Sequence, residues 1–193
     1  YPRIPGRFFD AGEPPYPNAK IWSLELMTLE ACHDLLVMSD SDIRATPSLL
    51  RTLAAEFASG DVGVATCPYR AVPGTSIWST LEAVGMNTEF WSGAFTARLV
   101  EGGVKFAVGP TSAARRAVID EIGGWARLCR YLAEDFVLGQ FAAEAGHGVI
   151  LSSAIVEHRI GSQPWQANFR HRLRWNRSTR RSRPAGYTGQ VFT

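Results

Sequence analysis

The sequence predicts an α/β protein with a mostly parallel sheet flanked by helices. Residues 21–67 alternate between segments with helical spacing of apolar residues and short continuous apolar runs, a pattern typical of parallel sheets. The composition agrees, because 46% hydrophobic and 20% charged residues in a chain of 193 suit one domain with its own core. We therefore expect residues 1–193 to form a single domain.

The first half of the chain supplies this alternation. Residues 1–20 contain five of the eleven prolines and are predicted to be irregular. Pro47 suits the first turn of a helix, and Gly60 ends that helix. The predicted elements are a helix over 21–32, a strand over 35–38, a helix over 47–59 and a strand over 62–67.

The second half of the chain contains aromatic residues and glycines that are expected to end helices. Residues 105–116 predict a strand that feeds a turn at Gly109-Pro110, and Gly123-Gly124 ends the helix that follows. The aromatic residues of 77–100 are expected either in the core or facing a membrane surface or lipid substrate. The other predicted elements are helices over 77–100, 117–122 and 131–145, a strand over 149–151, and a last helix over 164–183.

Two acids follow the strand over 35–38. Asp40 and Asp42 stand one residue apart, and ligands of α/β sheets bind at the carboxyl ends of strands. Strand alternation would point both carboxylates the same way. Two hard oxygen ligands suit Mg²⁺ or Mn²⁺ held between a protein and substrate phosphates. The alternative is that these acids only cap the next helix.

The charge is divided unevenly along the chain. Residues 1–157 hold all eighteen acids with twelve Lys or Arg, a net charge of −6, whereas residues 158–193 hold eight Arg and no acid. Such a basic block indicates phosphate in a nucleic acid, a nucleotide or a lipid headgroup, unless it is only a solvated face. Helical spacing places several of these residues along one side of the last helix: Arg170 or His171, Arg174, Arg177 or Ser178, and Arg181.

A second acidic pair, Glu134-Asp135, lies in the helix over 131–145. Acids in a first turn are stabilised by the helix dipole, so capping is one interpretation. The other is a general base that takes the proton of an acceptor hydroxyl. A metal-binding pair, a base and an arginine helix together form what sugar transfer from a nucleotide-sugar requires.

The order of these motifs resembles the inverting glycosyltransferases of the GT-A fold, and closely the ceramide glucosyltransferase family, which includes bacterial hopanoid-lipid glycosyltransferases. The matching positions are Asn18 and Lys20 of an N-x-K element, Asp40-Ser41-Asp42-Ile43-Arg44, the LAED of 132–135 after Gly123-Gly124-Trp125, and Arg174-Trp175 of a Q/R-x-x-R-W signature. The resemblance implies that Asp40 and Asp42 bind a metal and the donor diphosphate. It also implies that Asp135 is the base, that Arg174 and Trp175 complete the catalytic site, and that Lys20 and His171 contact the donor.

The activity implied by this resemblance is transfer of a hexose, glucose or N-acetylglucosamine, from a UDP-sugar to a lipid hydroxyl such as that of ceramide or a hopanoid. Mg²⁺ or Mn²⁺ would assist. The implied location is the cytoplasmic face of a membrane, with no nucleic-acid partner. We further expect Arg180, Arg181 and Arg183 to face anionic headgroups.

The chain departs from the family pattern in two ways. His171 occupies the first position of the Q/R-x-x-R-W signature, where Arg170 or Arg172 could substitute. The family also has an earlier strand, an aspartate that contacts the nucleotide base, and flanking membrane helices. We therefore expect residues 1–193 to be a catalytic domain truncated at its N-terminus, lacking its first βα unit and the membrane helices.

Other features exclude competing classes. There is no run of about 18 apolar residues, and Tyr1 to Pro17 does not resemble a secretory signal peptide. The chain has three cysteines, Cys32, Cys67 and Cys129. Their odd number and wide spacing argue against a disulfide framework and against a CxxC zinc site, and favour a reducing compartment.

Two alternative functions stay open. A phosphatase of the haloacid dehalogenase type also has a strand followed by DxD, but it requires Thr or Val two residues past the second acid, where Arg44 stands. A nucleic-acid-binding module would use the arginine helix but leave Asp40, Asp42 and Asp135 unexplained.

Overall fold

A computed structural model of the chain describes residues 6–189. Residues 1–5 of the segment predicted to be irregular lie outside the described residues, and 6–18 have no regular secondary structure. The strands are β1 (Leu35–Ser39), β2 (Ile43–Arg44), β3 (Val62–Thr66), β4 (Tyr69–Val72), β5 (Thr111–Arg115), β6 (Gly148–Leu151) and β7 (Val156–Arg159). The helices are α1 (Ala19–Glu30), α2 (Leu49–Glu56), α3 (Ile77–Gly85), α4 (Trp91–Val100), α5 (Arg116–Glu121), α6 (Glu134–Glu144), α7 (Trp165–Ser182) and α8 (Pro184–Gly189), with a π-helical turn at Met86–Phe90 and a 3₁₀ turn at Trp125–Leu128.

The main sheet has the strand order β1-β5-β3-β6. β1 and β3 both pair antiparallel with β5, and β6 pairs parallel with β3, so three of the four strands run in one direction. The mostly parallel direction predicted from the alternation is therefore confirmed. What the alternation could not show is that β5 lies between β1 and β3 and runs the opposite way.

The strand predicted before Gly109-Pro110 is wrong, because β5 follows that turn instead. Residues 105–108 carry buried Phe106, Ala107 and Val108 but no regular strand. The Thr66 hydroxyl accepts a hydrogen bond from the Val108 N–H at 2.8 Å and donates to the Val108 carbonyl at 3.2 Å. A side chain therefore satisfies the backbone of this segment where a neighbouring strand would otherwise do so.

A second sheet of three short strands, ordered β2-β7-β4, was not predicted. β7 reads Val-Glu-His-Arg and β2 has two residues, so neither provides the apolar run or alternation that indicates a strand. In this sheet Ile43 lies opposite His158, which brings the residue before β2 beside β7. The pairing of β2 with β7 therefore also fixes the position of Asp42.

The core is divided between the two faces of the main sheet. Val64 and Ala114 are paired neighbours and pack with α1, α5 and α6. Ala65 and Ala113 are the next pair and pack on the opposite side with α2, α3 and α4. Alternate residues of a strand face opposite sides, so small residues in the two central strands let both helical layers approach closely.

The helix predicted over 77–100 is continuous but changes winding at the π-helical turn. There Asn87 accepts a hydrogen bond from the Ala71 N–H at 2.8 Å and donates to the Ala71 carbonyl at 3.0 Å. The inserted turn thus lets a side chain satisfy the edge of β4. Trp91 is buried against Tyr69, as expected for a core position, while Trp78 and Phe95 are 39% and 47% exposed. That the exposed aromatic residues face a membrane surface or lipid substrate stays a prediction.

The last predicted helix is α7, and Pro184 begins the short α8 after it. Within residues 6–189, no helix is both long and apolar enough to cross a bilayer.

Candidate active site

The end of β1 lies beside the start of β5 because the two strands are antiparallel. Ser39 is paired with Thr111, and the Asp40 N–H donates a hydrogen bond to the Pro110 carbonyl at 3.0 Å. The Gly109-Pro110 turn therefore lies next to Asp40. This neighbour of the first acid could not be read from the sequence, since the direction of β5 decides it.

Helix α6 brings Asp135 to the same turn. A Cβ atom on Gly139 would lie 2.4 Å from the Ala107 backbone nitrogen, so only glycine lets α6 contact this segment. Asp135 is one helical turn before Gly139 and projects from the same side. A Cβ on Gly109 would lie 3.0 Å from Asp135 Oδ2 and 4.0 Å from Asp40 Oδ2, so the two carboxylates flank Gly109.

Lys20 connects the two acidic pairs. Its ammonium lies 2.9 Å from Asp40 Oδ1 and 3.2 Å from Glu134 Oε1. Asn18 caps α1 by accepting a hydrogen bond from the Ile21 N–H, while its amide donates to Glu134 and to the Tyr131 carbonyl. The N-x-K element therefore fixes the start of α1 on the start of α6.

The site has an excess of negative charge. Asp40, Glu134 and Asp135 surround the single ammonium of Lys20. Burial tends to lower the pKa of Lys20, but Glu134 and Asp40 outweigh it and raise that pKa, so the amine stays charged. The Lys20 ammonium can neutralise only one of the three carboxylates. The site therefore keeps a net negative charge that favours binding of a further cation.

Asp135 has the most perturbed carboxyl group of the site. Burial raises its pKa to about 6, and repulsion by Glu134 adds to this, while the Phe136 N–H and Lys20 oppose it. A small cavity with a volume of about 20 Å³ adjoins this carboxylate and is lined partly by Leu24, Met38 and Leu138. The cavity has room for about one water molecule. An apolar surrounding of this kind favours a general base with a pKa near the working pH.

Asp42 is held by the second sheet instead of by Lys20. Its Oδ2 lies 3.1 Å from His158 Nε2, and its carbonyl accepts a hydrogen bond from the Arg159 N–H at 2.9 Å. His158 was not singled out from the sequence, because a histidine in a short polar strand gives no signal of its own. Its Nδ1 and the Tyr69 hydroxyl are buried without a hydrogen-bond partner among the described residues.

The donor set suits a divalent cation. The side chains of Asp40 and Asp42 are 40% and 51% exposed, so their oxygens are open to ligands. Carboxylate oxygens completed by phosphate and water are the usual environment of Mg²⁺, and Mn²⁺ prefers the same oxygen ligands. No group of three or more ligating side chains was found within the described part of the chain, so phosphate and water would supply the remaining ligands.

The arginine signature lies on α7, and its residues have separate environments. Trp175 is half-buried between Phe90 and His171, with ring centroids 6.1 Å and 5.1 Å away. Arg174 is exposed on an adjoining side of the helix. Among residues 6–189, no hydrogen bond or ion pair joins either side chain to Asp135, and their catalytic roles stay predictions.

His171 has a structural partner that the sequence did not reveal. Its Nδ1 lies 2.5 Å from Oε1 of Glu82, a residue of α3 that is 3% exposed. Asn168 also donates to this carboxylate. Burial pushes the pKa of Glu82 upward, but His171, Asn168 and Arg172 together bring it below its usual value. Glu82 therefore binds α7 to the body, and the contact of His171 with the donor stays a prediction.

Two arginines expected at anionic headgroups have other neighbours. Arg183 forms an ion pair with Glu101, the residue after α4. Arg181 lines a cleft beside the start of α6. The expectation that Arg180, Arg181 and Arg183 face anionic headgroups stays a prediction.

The chain is similar to glycosyltransferases in its sequence family and in its fold. The family model described as Glycosyl transferase family 21 matches residues 1–193. The fold is similar to that of the mannosyltransferase PcManGT from Pyrobaculum calidifontis in complex with GDP-Man and Mn²⁺, with a TM-score of 0.61 and 16% sequence identity. This similarity covers 86% of the present chain and 43% of the mannosyltransferase, and it confirms the GT-A-like fold.

A second solved structure, described as a mycobacterial protein, has a TM-score of 0.45 and 19% identity over 87% of this chain and 49% of its own. The chain thus spans less than half the length of each of the two structures.

Proposed function

The chain belongs to glycosyl transferase family 21, and from this membership we propose that it transfers a hexose from a UDP-sugar to a lipid hydroxyl with inversion at the anomeric carbon. The observation that carries the proposal is the convergence of Asp40, Lys20 and Asp135 around Gly109. The proposed sugars are glucose and N-acetylglucosamine, and the proposed acceptors are ceramide-like or hopanoid lipids. Neither proposed alternative, the phosphatase or the nucleic-acid module, accounts for family membership.

Asp135 is the base in this proposal. The acceptor hydroxyl attacks the anomeric carbon from the side opposite the diphosphate, and its proton passes to Asp135 Oδ2, the oxygen that faces Gly109. The new C–O bond forms as the bond to the diphosphate breaks, so one attack gives inversion. A carboxyl group with a pKa of about 6 is ionised at neutral pH and is a better proton acceptor than an ordinary aspartate.

The donor diphosphate is assigned to Asp40, Asp42 and the arginine face of α7. Asp40 and Asp42 hold Mg²⁺ or Mn²⁺, with His158 within reach of Asp42. The metal, when bound, offsets the charge that develops on the leaving diphosphate. Arg174 adds a second positive charge to the diphosphate, and Trp175 packs against the sugar or the acceptor. Lys20, already between Asp40 and Glu134, orients the donor phosphate.

A membrane surface is proposed as the location. Trp165, Phe169 and Leu173 recur every fourth residue on α7 and are 47%, 52% and 37% exposed. The Trp165 ring lies 6.1 Å from that of Trp78 on α3, so the two helices present one apolar surface. Apolar side chains next to arginines are typical of surfaces that enter anionic bilayers, and we propose that this surface lies at the cytoplasmic face.

The activity is tested with the complete protein, a panel of UDP- and GDP-sugars, and ceramide or hopanoid acceptors, with Mn²⁺ or with EDTA. We expect metal-dependent product from a UDP-hexose, with inverted configuration by NMR. Asp135→Asn should lose turnover by roughly 10² to 10⁴-fold with donor affinity unchanged. Asp120→Asn, an exposed acid on α5, is the matched control. Retained configuration, or equal loss in both variants, would contradict the mechanism.

The location has its own test. Replacing Phe169 and Leu173 by serine should weaken binding to anionic vesicles, whereas Leu29→Ser, which changes a 77% exposed residue of α1, should not. Equal vesicle binding by all three proteins would show that α7 is not the membrane contact.

A further inference from the structure

A second cavity lies beside the start of α6 and is separate from the small cavity beside Asp135. It has a volume of about 260 Å³. One wall is the loop Arg130 to Ala133, and the other is the C-terminal half of α7. The lining residues of α7 are Arg177, Ser178, Arg181 and Ser182. We refer to this cavity as the arginine cleft.

The arginine cleft is positively charged without compensation. Three guanidinium groups line it, those of Arg130, Arg177 and Arg181, and no carboxylate does. Over residues 6–189, none of the three has an Asp or Glu oxygen within 4.0 Å. Four other described arginines, Arg7, Arg70, Arg159 and Arg183, do have carboxylate partners. Three exposed guanidinium groups on one cavity, with no acid among its lining residues, favour the entry of an anion.

Both walls of the cleft are held in place. The Tyr131 carbonyl accepts a hydrogen bond from Asn18 at 2.8 Å, and the Tyr131 ring packs edge-on against Phe141. On the other wall, Arg177 and Arg181 are one helical turn apart, so their side chains project to the same side. Their helix is tied to the body through the buried Glu82. The guanidinium groups are therefore presented by elements whose backbone is already fixed.

We propose that the arginine cleft binds a phosphate group without a metal, at a site distinct from Asp40 and Asp42. Arginine forks match phosphate oxygens with paired hydrogen bonds, and the Ser178 and Ser182 hydroxyls can add further donors. The cleft is open enough for a phosphate that remains attached to a larger molecule. Leu132, 53% exposed on the loop wall, offers that molecule an apolar contact.

The position of the cleft links it to the transfer reaction. Ala133 lines the cleft and lies two residues before Asp135. A phosphate bound there lies against the loop that leads into α6, so we assign it either to the leaving nucleotide or to an acidic headgroup beside the acceptor. This link rests on the proposed function, whereas binding of phosphate in the cleft does not.

The test measures binding of inorganic pyrophosphate to the complete protein in EDTA, so that no metal site contributes. The native protein should bind it, with an affinity that falls as salt is added. Arg177→Ala and Arg181→Ala should each weaken binding about tenfold, since each removes charge-assisted hydrogen bonds. Arg180→Ala, an exposed arginine of the same helix outside the cleft, should have little effect. Alanine favours helix, and urea unfolding of each variant shows that it is folded.

Further measurements separate the outcomes. The binding measurement in EDTA requires neither a metal nor sugar transfer, so a failure of the proposed transferase mechanism does not affect this result. Competition by UDP assigns the cleft to the leaving nucleotide, and competition only by vesicles containing phosphatidic acid assigns it to a headgroup. Absence of binding by the native protein, or equal loss in the Arg180 variant, would overturn the proposal and leave a diffuse basic helix.

Discussion

Replacing Asp135 by asparagine should stabilise the fold at neutral pH while lowering turnover by roughly 10² to 10⁴-fold. The pKa of Asp135 is raised from 3.8 to about 6, so the folded protein holds the ionised carboxylate less favourably than the unfolded chain does. At about 1.4 kcal/mol per pH unit, this shift corresponds to about 3 kcal/mol of destabilisation above pH 6. This destabilisation is absent below pH 3.8, the pKa of Asp135 in the unfolded chain. It grows as the pH rises to about 6, the pKa of Asp135 in the folded protein. Asparagine has no charge to bury and so avoids it.

Urea unfolding of both proteins between pH 4 and pH 8 measures this difference. The free energy of unfolding of the Asn variant should exceed that of the native protein by an amount that grows from pH 4 to pH 6. Above pH 6 this difference should stay constant. Asp120→Asn is the matched control, because Asp120 is an exposed acid of α5 and its removal should not stabilise the protein. An advantage that is the same at pH 4 and pH 8 would refute the reasoning, since it could not come from ionisation of Asp135.

Four further outcomes are expected. Asp42→Asn should abolish the Mn²⁺-dependent part of donor binding measured by calorimetry, and unchanged binding would remove Asp42 from the metal site. Gly109→Ala should lower turnover with little loss of stability, because its Cβ would lie 3.0 Å from Asp135 Oδ2; normal turnover would show that the gap is not used. Turnover should fall about tenfold per pH unit below about 6, since protonated Asp135 cannot act as the base, and a flat profile from pH 5 to 8 would exclude it. Glu82→Gln should cost about 1–3 kcal/mol by leaving His171 and Asn168 with a weaker acceptor, and hydrogen exchange should then show early loss of protection in α7.

The sequence predicted the elements whose apolar pattern is decided by local burial. β1, β3 and β6 are short apolar runs, and α6 ends at Glu144, one residue before its predicted end. β4 and β7 were missed because their pairing with each other, and not a pattern of their own, makes them strands. Residues 105–108 were mistaken for a strand because burial alone produces an apolar run. Thr66, far away in sequence, determines their backbone bonding.

The site was predicted to a similar extent. Asp40 and Asp135 could be found because each stands at the end of a recognisable element, where ligands are bound. Their partners could not be found, because these depend on which distant segments become neighbours. His158 reaches Asp42 only through the register of β2 and β7, and Glu82 reaches His171 only through the packing of α3 on α7.

One structural fact accounts for most of the site. Because β5 runs antiparallel between β1 and β3, its first residues return to the end of β1 and place Gly109 against Asp40. Gly139 then allows α6 to contact the segment before Gly109, which brings Asp135 to the same point. A fully parallel sheet would have put the start of β5 at the opposite edge, and the two carboxylates would have no common neighbour. The chemistry proposed for Asp40 and Asp135 thus depends on the strand direction that the sequence pattern could not reveal.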